Sequence, residues 1–230
     1  MKSSLRLLQK QFQLDPKITY LNHGSFGACP HPIFNEREKW QRELEFQPVS
    51  FIDKATQLLE WSREKLSKYI ICDKDDLVYF PNPTTAMNMV IRSLELREND
   101  EVLTTNHEYG AIERTWKFMS NQIGSIYKPI NRELPYDEDQ FVRLFKENIT
   151  HLTKIIFLSH ITSPTGIIFP LKRICELAKK LEIMVIVDGA HAPAQIDLNI
   201  KELGADIYTG ACHKWMLCPK GVSFLYASKE

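Results

Sequence analysis

From residue 77 to residue 227 the chain alternates short, largely apolar runs with segments of helical spacing, and this alternation restricts its fold more than any other feature. The runs are LVYF (77–80), EVLTT (101–105), SIYKPI (125–130), KIIFLS (154–159), MVIVD (184–188), DIYT (206–209) and VSFLYA (222–227). Between them, residues 84–96, 111–120, 137–149 and 171–183 carry apolar residues at helical spacing, the third with acids at its start. Strands apolar on both sides must be covered on both faces. The expectation is therefore an α/β fold, a three-layer α-β-α sandwich with a mostly parallel sheet. In such sheets ligands collect at the carboxyl ends of the strands, so functional residues are sought just after a strand.

Ahead of this body lies a turn-rich stretch, ITYLNHGSFGACPHP (18–32), then two amphipathic helices expected at 33–46 and 52–69 with Pro48 as the break. Twenty-nine basic and 29 acidic residues give a formal charge of zero. Such a chain has no field with which to gather nucleic acid or an anionic membrane. No window approaches the ~20 apolar residues of a membrane span, and the start, MKSSLRLLQKQ, lacks the apolar core and cleavage site of a signal peptide. The five cysteines are odd in number and scattered, which favours a reducing, cytoplasmic setting.

Five stretches, four of them after strands, carry candidate chemistry, each with a plainer alternative. Asp188 ends MVIVD and is followed by Gly189 and His191; the plain reading is a helix cap with a satisfied histidine. NPTTAMN (82–88) opens a helix after LVYF, where Thr84, Thr85 and free N–H groups could seat a phosphate or merely cap the helix. Tyr109 follows EVLTT and could lay a flat ring on a flat ligand or pack as a rim aromatic. In TGACHKWMLCPKG, Lys214 could be a desolvated, nucleophilic amine or an exposed loop lysine. Cys212, His213 and Cys218 fit no common zinc spacing, so no metal is expected. LNHGSFGACP suits backbone passing close to a ligand, or a turn. Taken together, a phosphate seat, a stacking ring, a buried acid and an imine-forming amine are the groups that pyridoxal 5′-phosphate needs.

VDGAHAPAQ followed by a lysine twenty-six residues after Asp188 in TGACHKW resembles the class V aminotransferase branch of fold-type I pyridoxal-phosphate enzymes. YLNHGSFGACP, HEYGAIERTW, SPTG and HKWMLCPKG are most similar to the isopenicillin N epimerase-like group, which includes cysteine desulfhydrases and related C–S lyases. The resemblance implies Lys214 as the Schiff-base lysine, Asp188 as partner of the pyridine nitrogen and His191 beside the phenolic oxygen. It also implies Tyr109 as the stacking residue, with Thr84, Thr85 and His213 at the phosphate. Asn22 and His23 would lie in an entry loop near the substrate. An enzyme acting at the α-carbon of an amino acid, by epimerisation or C–S lysis, and a homodimer are implied too.

Departures from the family pattern accompany it. Ala211 and Cys212 precede His213 where desulfurases carry Ser-Gly, which removes one phosphate ligand unless Thr209 replaces it, and His160 stands where they place an asparagine. Residues 1–50 are expected to pack as an N-terminal segment and helix on a cofactor-binding large domain, 51–230. The smaller C-terminal domain of the family would lie beyond residue 230, and its absence from these residues raises the alternative of a truncated, catalytically incompetent binding or dimerising module.

Overall fold

The computed structural model describes residues 7–131 and 137–229. The first six residues of the expected 1–50 segment lie outside the described residues. Helices α1 (His31–Phe46) and α2 (Pro48–Ile70) and a 3-10 turn (Lys74–Asp76) lead into β1 (Leu77–Phe80). The chain continues through α3 (Pro83–Ser93), β2 (Glu101–Thr105), α4 (Gly110–Ile123), β3 (Ile126–Ile130), α5 (Glu138–Asn148) and β4 (Thr153–Ser159). It ends with α6 (Leu171–Lys179), β5 (Met184–Asp188), the short α7 (Ile200–Leu203), β6 (Ile207–Ala211) and β7 (Ser223–Ala227).

The strands form one seven-stranded sheet in the order β1-β7-β6-β5-β4-β2-β3. All run parallel except β7, which is antiparallel to both neighbours. The exception follows from the connection: β6 and β7 are joined by residues 212–222 alone, too few for the helical crossover that a parallel return needs. Along β4 and β5 successive side chains enter opposite layers. Ile156, Leu158, Val185 and Val187 pack with Leu66 and Ile70 of α2, Phe141 and Phe145 of α5, and Ile174 and Ala178 of α6. Ile155, Phe157 and Ile186 pack with Met87 and Ile91 of α3 and Ile112 and Trp116 of α4. Two apolar layers on one sheet make the sandwich that the apolar strands require.

Local chemistry sets several boundaries. Pro48 does not merely break the chain; it occupies the first turn of α2, where its missing N–H costs nothing. The cap of α3 is Asn82, whose side chain accepts the Thr85 N–H, rather than a threonine. That helix stops at Ser93, earlier than its spacing predicts, and α6 stops at Lys179, where residues 180–182 form a turn with Glu182 at φ 55°.

Helix α1 buries none of its residues, and Phe46, Val49, Ile52 and Trp61 stand exposed across α1 and the first two thirds of α2. Among the described residues, no helix is long and apolar enough to cross a membrane.

Candidate active site

Sheet register brings the decisive strand ends together. Ser159 of β4 pairs with Asp188 of β5, and Asp188 pairs with Thr209 of β6. Beyond these ends opens a cavity of ≈ 500 Å³ bordered by Asp188, His191, Lys214, His213, Tyr109 and Thr84, among others. It sits where β2 and β4 are adjacent but their following loops diverge, the crevice in which open α/β sheets bind ligands. A larger hollow of ≈ 1090 Å³ lies at the opposite end of the strands, by the starts of β5 and β6, along Asp76, Met184 and Asp206, and none of the sequence candidates borders it. The sequence candidates therefore gather at the smaller one.

Asp188 is 5% exposed, and its Oδ1 accepts the Ala190 N–H at 3.0 Å. Burial raises its pKa, while that hydrogen bond pulls it back down. Gly189 is needed next: a Cβ there would lie 2.1 Å from the Tyr208 hydroxyl. Lys214 is half-buried, and desolvation lowers its pKa against the attraction of Asp188. Its Nζ lies 3.1 Å from His191 Nε2. The His191 pKa is brought down to about 4, mainly by burial, so the imidazole is neutral at neutral pH.

The lysine loop is shaped by a turn, with Leu217 N–H donating to Lys214 O at 3.1 Å and Leu217 in the left-handed region at φ 58°. Residues 20–30 form a strap across this loop. Gly27 N–H donates to His213 O at 2.7 Å, Lys220 Nζ donates to Gly27 O at 2.5 Å, and the Phe26 ring stacks on His213 at 5.8 Å.

The other sequence candidates divide. Tyr109 is 44% exposed at the cavity rim and precedes α4. Thr84 borders the cavity, whereas Thr85 is exposed and its backbone N–H and hydroxyl both donate to Asn82 Oδ1. His213 borders the cavity with its Nδ1 2.9 Å from Val222 O. Of the strap, Gly24, Ser25 and Phe26 face the cavity. Asn22 instead accepts the Ser25 N–H in a turn, and His23 Nδ1 accepts the Ala28 N–H at 3.3 Å.

Two open positions are also placed. Thr209 is fully buried and donates to Phe224 O at 2.8 Å, so it offers nothing to a phosphate. His160 turns into the core, its Nδ1 2.9 Å from the Tyr208 hydroxyl. Cys212 is buried, and among the described residues no group of three or more His, Cys, Asp or Glu side chains could hold a metal.

Sequence reasoning missed Glu108. Its carboxylate is buried beside the cavity, with Oε1 accepting the Thr105 hydroxyl at 2.7 Å and Oε2 accepting both the N–H and the hydroxyl of Ser159 at 2.7 Å. Burial raises its pKa to about 7 despite those bonds, and Asp188 adds to the rise. A glutamate in a polar stretch carries no mark of burial; only its place after an apolar strand could have singled it out.

This geometry has relatives. The family model described as Aminotransferase class-V matches residues 44–230. The chain is 34% identical over 215 residues to isopenicillin N epimerase of Streptomyces clavuligerus, covering 93% of this chain and 54% of that protein. It is 32% identical over 229 residues to isopenicillin N epimerase of Amycolatopsis lactamdurans, covering 96% and 57%. Hercynylcysteine sulfoxide lyase of Schizosaccharomyces pombe is 28% identical over 225 residues, 97% of this chain and 57% of that one. The chain thus spans little more than half the length of these curated relatives. Among solved structures, a C-DES mutant with glycine covalently linked to its PLP cofactor superposes with a TM-score of 0.89 at 23% identity, over 96% of this chain and 59% of that one. With its sheet, strand-end cavity and matching sequence profile, the chain belongs to the class-V aminotransferases, a family of pyridoxal-phosphate enzymes.

Proposed function

We propose that this chain is the cofactor-binding part of a pyridoxal-phosphate enzyme that removes the α-proton of an amino acid. The convergence of Asp188 and Lys214 on one cavity carries the reading. The donor set fits the group. A buried carboxylate requires a cationic or N–H partner, which a pyridinium nitrogen provides. A half-buried amine of lowered pKa suits imine formation. The start of α3 and the His213 ring border the same cavity, offering Thr84 and the positive end of a helix dipole to a phosphate. Thr84, and less directly Thr85 behind the Asn82 cap, would serve there. Tyr109 would cover one face of the ring, and His191 would lie beside its phenolic oxygen.

When bound, the cofactor supplies an electron sink that acidifies the substrate's α-carbon. The protein's own work is positional and protonic. Asp188 holds the ring nitrogen charged, while Lys214 Nζ takes the α-proton and can return it. The strap that holds Gly24 to Phe26 over the cavity limits water there, with Asn22 and His23 shaping its approach. Epimerisation and C–S lysis, the reactions in the relatives' names, both begin with this proton transfer, so the proposal stops at the shared step.

The same reading includes the division into an N-terminal segment, 1–50, and a cofactor-binding body, 51–230. It also includes a homodimer: the exposed apolar side chains of α1 and α2 favour a second copy as their cover. The five unpaired cysteines favour a reducing, cytoplasmic setting. The exposed helices equally motivate a second reading, a non-catalytic dimerising module. One experiment separates the two: incubation with pyridoxal phosphate, borohydride reduction and peptide mapping. A pyridoxyl group on Lys214, with exchange of an amino acid's α-hydrogen into deuterated water, supports the enzyme. A dimer that captures nothing leaves the module.

A further inference from the structure

Trp215, the residue after the lysine, points its indole back at the site. Its Nε1 donates to His191 Nδ1 at 3.3 Å, while His191 Nε2 lies 3.1 Å from Lys214 Nζ. An indole nitrogen can only donate. The imidazole atom facing it must therefore carry a lone pair, and a neutral ring then has its single proton on Nε2. That N–H points at Nζ, which can receive it only as an uncharged amine, because an ammonium has no lone pair. The opposite assignment, an ammonium donating to Nε2, would put the ring proton on Nδ1 and set two N–H groups against each other at the indole.

We infer that Trp215 fixes His191 as its Nε2–H tautomer and thereby holds Lys214 as a free-base amine, accepting at Nζ. Trp215 is thus a positioning residue, acting on the lysine through the histidine. Its ring is boxed in for that purpose. A Cβ on Gly24 would lie 3.3 Å from both Trp215 Cζ2 and His191 Cε1, and the His23 ring sits 6.2 Å away. The histidine is tethered from its other end by Gln195 Nε2 donating to His191 O at 3.0 Å. Burial favours the uncharged form of both partners, and at Lys214 it works against the attraction of the Asp188 carboxylate. One consequence is selective: once Nζ is engaged in a bond of its own, an N–H donor faces the cleft beside it, which favours a ligand oxygen without a proton. The importance of the amine rests on the function proposed above, but the tautomer does not.

The test uses the whole chain without cofactor, labelled with ¹⁵N in histidine and lysine. Long-range ¹H–¹⁵N correlation reads the protonation of each ring nitrogen, with the His191 signals identified by their loss in His191→Gln. The expected result at neutral pH is a bare Nδ1, a protonated Nε2 and a free-base Lys214 signal. In Trp215→Phe, which keeps a ring but no N–H, the two His191 nitrogen signals should move toward each other as the tautomers mix. A protonated Nδ1 or an ammonium-type Lys214 in the unmodified protein overturns the inference, and this measurement needs no variant. Unchanged His191 signals in a folded Trp215→Phe protein, with the same melting temperature, overturn it too. Failure to capture pyridoxal phosphate in a protein with the expected tautomer would remove the proposed function and leave this assignment standing.

Discussion

Gly27 passes so close to Lys214 that a Cβ on Gly27 would lie 1.8 Å from the Lys214 carbonyl oxygen. Backbone meets backbone there, and no side chain can give way. Gly27→Ala should push the strap off the lysine loop and break the Gly27 N–H to His213 O bond. Loss of that bond and the accompanying repacking is worth about 1–3 kcal/mol. Urea unfolding and the rate at which added pyridoxal phosphate dissociates should both report the change, with dissociation faster in the variant. An alanine protein indistinguishable from the parent in both would refute the strap's role.

Lys214→Ala should abolish borohydride-stable capture of pyridoxal phosphate while leaving the fold intact. The amine is half-buried and desolvated, so its removal takes away an unfavourable burial as well as a contact to His191. The melting temperature should stay the same or rise. A sharp fall would mean that the lysine holds the loop together.

Glu108→Gln should destabilise the protein by about 1–3 kcal/mol, because an amide NH₂ would replace one of two oxygens that both accept hydrogen bonds. It should also alter pH dependence. Burial raises the Glu108 pKa from 4.5 to about 7, so between those values the folded protein holds a proton that the unfolded chain has lost. That contribution to stability is present below about 4.5 and is lost as pH rises through 7. Urea titrations across that range should show it in the parent and not in the variant.

His160 works in the opposite direction. Burial lowers its pKa from 6.5 to about 4, so the unfolded chain takes up a proton there first. Its contribution is present above 6.5 and declines as pH falls toward 4, by on the order of 3 kcal/mol in all. His160→Gln keeps a partner for the Tyr208 hydroxyl and should flatten that acid limb. Equal steepness in both proteins would assign the limb to other groups.

The body of the sandwich was legible because a strand buried on both faces has no choice of composition: IIFL (155–158) and VIV (185–187) are apolar whichever layer each residue enters. Asp188 and Lys214 stood out for the same reason, as charged groups placed where apolar chain ends. What the pattern could not give was direction and partnership. The spacing of VSFLYA is the same for a parallel or an antiparallel strand, and only its short connection to β6 decides. Thr209 and His160 have the composition of ligand-binding residues, yet their side chains face Phe224 and Tyr208. Glu108 has the composition of a surface residue and is buried.

By itself the sequence determined the layered architecture and the carboxylate and amine at strand ends, because hydrophobic periodicity and the cost of burying charge act locally along the chain. Only the tertiary structure decided which strand ends adjoin, that residues 20–30 lie over the lysine loop, and which nitrogen of His191 faces the indole. Those depend on register and on contacts between residues far apart in sequence, and no local pattern encodes them.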